Sequence, residues 1–224
     1  MSEARAAAAA AALELVEPGL TIGLGSGRAV WQVVELLHES GRPVRAAVAS
    51  SRTEELALAA GFELVELDGT VELDLALDGA DEVDPELRLI KGGGGALLRE
   101  KIVISAARRF VVVAEAPKKV DRLGEHFRLP VEVVRFAWRD TRRRLGALLP
   151  DAEQRLRDDG EAYVTDEGHL ILDCALPDEA DLDSLGAAIK EVPGVVEHGL
   201  FIGMAERALL GRDDGSVEVL EAGR

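Results

Sequence analysis

Residues 74–104 read DLALDGADEVDPELRLIKGGGGALLREKIVI, and the fold of the chain turns on them. The stretch opens on an apolar run of strand type (Leu73, Leu75, Ala76, Leu77) that ends on an acid, Asp78. A second acid follows at Asp81, then a lysine at Lys91, four glycines from Gly92 to Gly95, and a segment of helix formers carrying Glu100. A strand end, acids, a cation, a glycine loop and a helix start, in that order, can hold a small phosphorylated molecule and move protons on it. Ligands of open α/β sheets gather at the carboxyl ends of the strands.

Outward from this stretch, strands and helices alternate. Gly19–Leu24 is a short buried strand, followed by GLGSG and a helix from Arg28 to Glu39 whose apolar face is Val30, Val33, Val34 and Leu37. Val44–Ala49 is the next strand. Ser50 and Ser51 ahead of Glu54 suggest a capping box for a helix over Thr53–Ala60. Phe62–Leu67 is a third strand, and Ala96–Arg108 a helix. Phe110–Ala114, FVVVA, lacks polar alternation, as a strand covered on both faces should. The pattern predicts an α/β fold: a Rossmann-like, mainly parallel sheet flanked by helices.

The character changes near Pro130. Val131–Val134 (strand), Trp138–Leu149 (helix), Ala162–Thr165 and Leu170–Cys174 (strands), Leu182–Val192 (helix capped by Asp181) and Val195–Phe201 (strand) make a β-α-β-β-α-β order. That order predicts an inserted, smaller α+β domain of ferredoxin-like type. We therefore expect residues 1–128 plus 203–224 to form the catalytic domain and 129–202 an inserted lid or oligomerisation domain, with 207–210 and 217–220 returning to the main sheet.

Composition narrows the function. The 224 residues carry 26 Lys and Arg against 42 Asp and Glu, a net charge of −16. Such a field repels nucleic acid and anionic membranes, so an anionic ligand requires a local nest of N–H groups and cations. No apolar run reaches the roughly 18 residues needed to span a bilayer. The Ala-rich start carries Glu3 and Glu14 and reads as an amphipathic helix of the mature protein, which leads us to expect a cytoplasmic location. The single Cys174 allows no internal disulfide and sits in an apolar run, as a buried, inert thiol would. His38, His126, His169 and His198 show no metal-ligand spacing, so no metal is expected.

Each motif has a plain alternative. Gly23-Leu24-Gly25-Ser26-Gly27 between strand and helix suits a phosphate at a helix N-terminus, and it also suits a tight turn. It fails the dinucleotide fingerprint, because Arg28 takes the third glycine position and Ala49-Ser50-Ser51 stands where the ribose-binding acid belongs. Asp78 and Asp81 could bond sugar hydroxyls or simply belong to an acidic loop. Four consecutive glycines are entropically costly, and they read either as close approach of a ligand to the main chain or as a hinge. Glu100 alone is an ordinary helix Glu. At the start of a helix that begins on a glycine nest, it becomes a candidate base. Lys118, after Pro117, is either a ligand contact or a surface charge.

At this point DGADEVDPELRLIKGGGGALLREKIV resembles the signature of the ribose-5-phosphate isomerase family, type A. GLGSG, SSRTEELA, PKKV, LPVEVV and VPGVVEHGLF fall in the same order as that family's other marked segments. The resemblance implies cofactor-free interconversion of D-ribose 5-phosphate and D-ribulose 5-phosphate, with a sugar phosphate as ligand and a homodimer or homotetramer as assembly. Carried over position by position, it makes Glu100 the proton-abstracting residue. It makes Asp78, Gly79, Ala80 and Asp81 a ligand loop, Lys91, Gly92, Gly93 and Gly94 a second ligand element, and Lys118 a further contact. The family's first loop usually runs Gly-Thr-Gly-Ser-Thr. Here it is Gly25-Ser26-Gly27-Arg28-Ala29, with two hydroxyls lost and a guanidinium gained. Two other classes share such features: a sugar-phosphate sensor, for which no DNA-reading segment is evident, and a hydrolase or transferase acting on amino sugars or thioesters.

Overall fold

The computed structural model describes residues 2–221. Residue 1 and residues 222–224, the outer ends of the expected larger domain, lie outside the described residues. Helix α1 (Glu3–Leu13) is capped by the Ser2 side chain and buries only alanines, Ala4, Ala8, Ala9 and Ala12. The small side chains let α1 approach the sheet closely. A Cβ on Gly211 would stand 1.8 Å from the Ala4 carbonyl oxygen.

Strand β1 (Thr21–Leu24), helix α2 (Arg28–Glu39), strand β2 (Arg45–Val48), helix α3 (Ser51–Ala59) and strand β3 (Glu63–Leu64) form one half of the main sheet. Helix α2 buries Val30, Val33, Val34 and Leu37, the face its 3.6-residue period predicts. Helix α3 starts two residues earlier than the Ser51–Glu54 spacing suggested. Ser50 is the cap, and its hydroxyl accepts from the Thr53 N–H.

Strand β4 (Leu75–Asp78) then crosses to the other side of β1, followed by the short strands β5 (Glu82–Val83) and β6 (Leu89–Ile90), helix α4 (Leu97–Ser105) and strand β7 (Phe110–Glu115). The completed sheet runs β14-β13-β7-β4-β1-β2-β3. Its last two strands are β13 (Arg207–Gly211), parallel to β7, and β14 (Val217–Glu221), antiparallel at the edge. The remaining pairings are parallel, with Leu24 beside both Val48 and Leu77, and Asp78 beside Val112. All four residues of β1 and of β4 are buried, because helices cover both faces. The strand order reverses between β1 and β4, which opens a crevice at their carboxyl ends.

Strand β8 (Leu129–Val133), helix α5 (Trp138–Leu145), strand β9 (Glu153–Gln154), strand β10 (Leu170–Cys174), helix α6 (Leu182–Lys190) and strand β11 (Val195–His198) form a separate antiparallel sheet, ordered β11-β8-β10-β9. Its core gathers Leu129, Val131, Val133, Leu145, Leu172 and Ile189, with Cys174 buried among them as a free thiol.

Three expectations need correction here. Ala162–Thr165 is not a ladder strand. It makes only the isolated bridges Leu156–Ala162 and Val164–Leu170, and β9 pairs with β10 instead. The expected strand Val195–Phe201 is also cut at Gly199, where a Cβ would stand 2.2 Å from the Lys91 carbonyl oxygen and 2.8 Å from Pro130 Cδ. Beyond that crossing, strand β12 (Leu200–Phe201) pairs with β6 in a small sheet ordered β12-β6-β5. Helix α5 also stops short of Leu149, with Gly146 as its C-cap. Among the described residues, no helix is long and apolar enough to cross a membrane.

Candidate active site

The exit of β1 is built around Asp78. A Cβ at position 25 would fall 1.8 Å from Asp78 Cγ, so only glycine lets the chain leave β1 over the end of β4. Asp78 Oδ1 accepts from the Ser26 N–H (3.1 Å) and from the Gly79 N–H (2.7 Å). The Thr53 hydroxyl fixes the loop from the far side, donating to the Gly25 carbonyl oxygen at 2.9 Å. Gly27, at φ +91°, turns the chain into α2, so Arg28 and Ala29 occupy the first turn at the positive end of that helix. The Ser26 N–H is thus committed to Asp78, which leaves the later turns of this loop for an anion.

Lys91 follows β6, and its N–H is bonded to the Gly199 carbonyl at 2.9 Å. Its ammonium donates to the Gly79 carbonyl (2.6 Å) and lies 2.8 Å from Asp78 Oδ2 and 3.2 Å from Glu100 Oε2, with the Phe201 ring 5.5 Å away. Glu100 reaches it from the first turn of α4. Asp78, Lys91 and Glu100 are 0%, 3% and 5% exposed. The two carboxylate oxygens that face Lys91 touch it as ion-pair partners but have no directed hydrogen bond.

One ammonium serves two buried carboxylates, and the titration of the group follows from that imbalance. Burial, then the charge of Asp78, pushes Glu100 up to about 8 against the opposing pull of Lys91. Burial likewise raises Asp78 above the usual carboxylate range. Burial alone would lower Lys91, but Asp78 and Glu100 outweigh it and hold the ammonium above its ordinary value. The cation is therefore permanent, and the proton that can move belongs to the carboxyl pair.

Asp81, in the turn after β4, accepts from the Gly93 N–H at 2.7 Å. Glycine is required at 93, where a Cβ would fall 2.6 Å from Asp81 Oδ1. These groups enclose a cavity of about 270 Å³ whose wall takes in residues 26–29, 79–81 and 91–94, together with Glu100 and Lys118. Gly25 and Asp78 lie behind that wall, where Asp78 braces Lys91. The short turn Ala116–Lys118 after β7 brings Lys118 to the rim. Among the described residues, no three His, Cys, Asp or Glu side chains gather as metal ligands.

The sequence reading missed Arg5, Trp31 and Glu115, which also line the cavity. Arg5 Nη2 donates to Glu115 Oε1 at 2.9 Å, and Trp31 Nε1 to the Thr53 hydroxyl at 3.1 Å. One signal existed for Arg5: it is the lone cation in a helix otherwise made of Glu, Ala and Leu.

Comparison with known proteins gives one answer. Residues 46–215 match the family described as ribose 5-phosphate isomerase A (phosphoriboisomerase A). The ribose-5-phosphate isomerase A of Roseiflexus castenholzii is 50% identical over 220 residues, covering 96% of this chain and 94% of that protein. The one from Sinorhizobium fredii is 48% identical over 219 residues, covering 93% and 94%. Among solved structures, ribose 5-phosphate isomerase A from Methanocaldococcus jannaschii superposes with a TM-score of 0.90 at 35% identity, over 97% of each chain. A D-ribose-5-phosphate isomerase in complex with phospho-erythronic acid gives 0.92 at 33% identity, over 98% of each chain. With fold, signature and near full-length identity in agreement, this chain belongs to the ribose-5-phosphate isomerase A family.

Proposed function

We propose that Glu100 is the base that moves the proton in this enzyme. The chain is a ribose-5-phosphate isomerase, an aldose–ketose isomerase. Its reaction interconverts D-ribose 5-phosphate and D-ribulose 5-phosphate. A proton α to a carbonyl leaves only if a base receives it and the resulting enediolate is stabilised. In our reading, the Glu100 carboxylate takes the C2 proton of the open-chain aldose and the electron pair moves to the C1 oxygen. The Lys91 ammonium and the N–H groups of the glycine loop meet that developing charge. Asp81 passes a proton from the C2 hydroxyl to the C1 oxygen and assists ring opening. Glu100 then returns its proton to C1, and the ketose results. Asp78 keeps Lys91 in place and charged. The phosphate lies toward Gly27, Arg28 and Ala29 at the N-terminus of α2, within reach of Lys118.

The observation that carries this reading is the buried Glu100 carboxyl, 3.2 Å from Lys91 and without a directed hydrogen bond, at the wall of a cavity sized for a five-carbon ester. A compact anion bound in a solved relative, phospho-erythronic acid, supports a sugar phosphate as the ligand here. Incubation with ribose 5-phosphate, followed by ketose absorbance, tests the activity. The same assay on Glu100→Gln tests the role of the base.

The domain division at 128/129 and 202/203 belongs to this proposal. The separate β8–β11 sheet, whose core cluster also takes in Ile90, Val120 and Leu123, supports treating 129–202 as a lid or oligomerisation unit. Assembly as a homodimer or homotetramer and a cytoplasmic location are also part of the proposal, the latter resting on the sequence reading. Size-exclusion chromatography with light scattering tests the assembly.

A further inference from the structure

The glycine loop is held from outside by two residues that the reaction never touches. Arg155 and Tyr163 belong to the small-sheet region and face each other across its backbone, with the Tyr163 N–H on the Arg155 carbonyl at 2.9 Å. The Arg155 guanidinium is 13% exposed and grips Asp173 with a fork, Nε to Oδ2 at 2.9 Å and Nη2 to Oδ1. Its remaining nitrogen, Nη1, donates to the carbonyls of Gly92 (2.7 Å) and Gly93 (3.1 Å). The Tyr163 hydroxyl donates to the Gly94 carbonyl at 2.9 Å. Three consecutive glycine carbonyls are thereby drawn to one side.

The peptide unit is planar and trans, so each carbonyl fixes the N–H of the following residue on the opposite side. With the Gly92 carbonyl held by Arg155, the Gly93 N–H is aimed at Asp81, which accepts it at 2.7 Å. With the Gly93 carbonyl held the same way, the Gly94 N–H is turned to the opposite side, and Gly94 itself lines the cavity. Among the described residues that N–H has no protein acceptor. Glycine peptides otherwise rotate with little hindrance, and within the loop itself only the Gly95 N–H on the Gly92 carbonyl, at 3.0 Å, restrains them. Tyr163 also packs closely on Gly95, where a Cβ would lie 2.3 Å from its hydroxyl, so the position admits only glycine.

We propose that Arg155 and Tyr163 are positioning residues for catalysis. In this inference they set the peptide planes of the Gly92–Gly94 loop so that one N–H meets the enediolate oxygen and another holds Asp81. It rests on the reading that the loop amides stabilise that oxyanion. A donor set in advance is effective because nothing must reorganise when the charge develops. Losing that order costs transition-state binding more than ground-state binding.

The test uses the full chain and two ligands that differ in what they contact. Phospho-erythronic acid presents a carboxylate where the enediolate oxygens form, whereas inorganic phosphate reaches only the far end of the site. Arg155→Met removes the fork and the carbonyl contacts at nearly constant length. Tyr163→Phe removes a single oxygen. For Arg155→Met we expect kcat to fall about 10- to 100-fold, the range of a lost oxyanion donor or a small misplacement. KM should change less than about threefold, and calorimetric affinity for phospho-erythronic acid should fall while that for phosphate stays. Tyr163→Phe should show the same pattern at smaller size and decides the matter if Arg155→Met does not fold. Unchanged kcat and phospho-erythronic acid affinity overturn the inference, as does an equal loss of both ligands. Glu100→Gln in the same assay separates the two layers. If it turns over at the parent rate, the proposed base is wrong. If it is inactive while Arg155→Met and Tyr163→Phe behave as the parent, only the positioning role fails.

Discussion

Glu100 Oε2 stands 3.2 Å from Lys91 Nζ, and both groups are almost entirely removed from water. An ion pair in bulk solvent would be a weak, interchangeable contact. Here the same cation also serves Asp78 at 2.8 Å, so neither carboxylate is fully compensated. That shortage of positive charge makes a poised base from a residue that would otherwise be an ordinary acid.

Glu100→Gln keeps the shape of the side chain and removes its capacity to accept a proton. Positioned general bases contribute about 10²–10⁴-fold, and kcat should fall by at least the lower figure. Calorimetric binding of ribose 5-phosphate should remain within a few-fold of the parent. Turnover at the parent rate would remove Glu100 from the mechanism.

The pH dependence follows from the raised titration of the carboxyl pair. Protonated Glu100 cannot act as a base, so the acid limb of kcat/KM should lie well above the ordinary carboxylate range, toward 8. A profile flat down to pH 5 would contradict this. Stability should run the other way. The folded state holds this proton more tightly than the unfolded chain, so its contribution is complete below the ordinary glutamate value of 4.5 and is lost as pH rises toward 8. Glu100→Gln should abolish that slope in Tm against pH.

Gly25→Ala is predicted to damage both stability and activity. The added methyl would occupy the position of the Asp78 carboxylate, whose Cγ lies only 1.8 Å from the ideal Cβ. Overpacking of this kind costs about 1–3 kcal/mol, and any relief must displace the group that braces Lys91. Urea denaturation should show a lower midpoint at unchanged slope, together with a fall in kcat. A variant with parent stability and rate would show that the loop can move aside freely.

Arg28→Ala and Lys118→Ala should weaken binding without slowing the chemistry. A hydrogen bond to a charged group contributes about 1.5–3 kcal/mol. Because Arg28 is exposed, the lower part of that range applies, roughly a tenfold rise in KM with kcat held. The effect should shrink with added salt. A fall in kcat at constant KM would place these cations in the wrong role.

The parts of the molecule legible in the sequence were those in which one segment carries the whole signal. Buried parallel strands announce themselves as unbroken apolar runs, as in FVVVA, and Gly92–Gly95 stands out because such a run is hard to justify otherwise. Asp81, Lys91 and Glu100 fall within 20 residues of one another, and the strand–loop–helix order brings them together. What could not be read came from distant chain. Arg5 meets Glu115 across 110 residues, and Arg155 reaches the loop from more than 60 residues away. Tyr163 sits in the segment mistaken for a strand: its alternation is real, but the side chain is directed to the Gly94 carbonyl rather than into a ladder. The same holds for β11 and β12, which look like one strand until Gly199 is seen passing over the Lys91 carbonyl.

The position of β13 has a consequence for how the chain is made. It pairs with β7, yet the ribosome delivers it only after the whole of 129–202 has emerged. Until then the β7 segment FVVVA presents a bare, apolar hydrogen-bonding edge, the kind that invites association with another nascent chain. The β8–β11 sheet can therefore form while the main sheet is still unsealed, and anything that delays β13 prolongs that exposure.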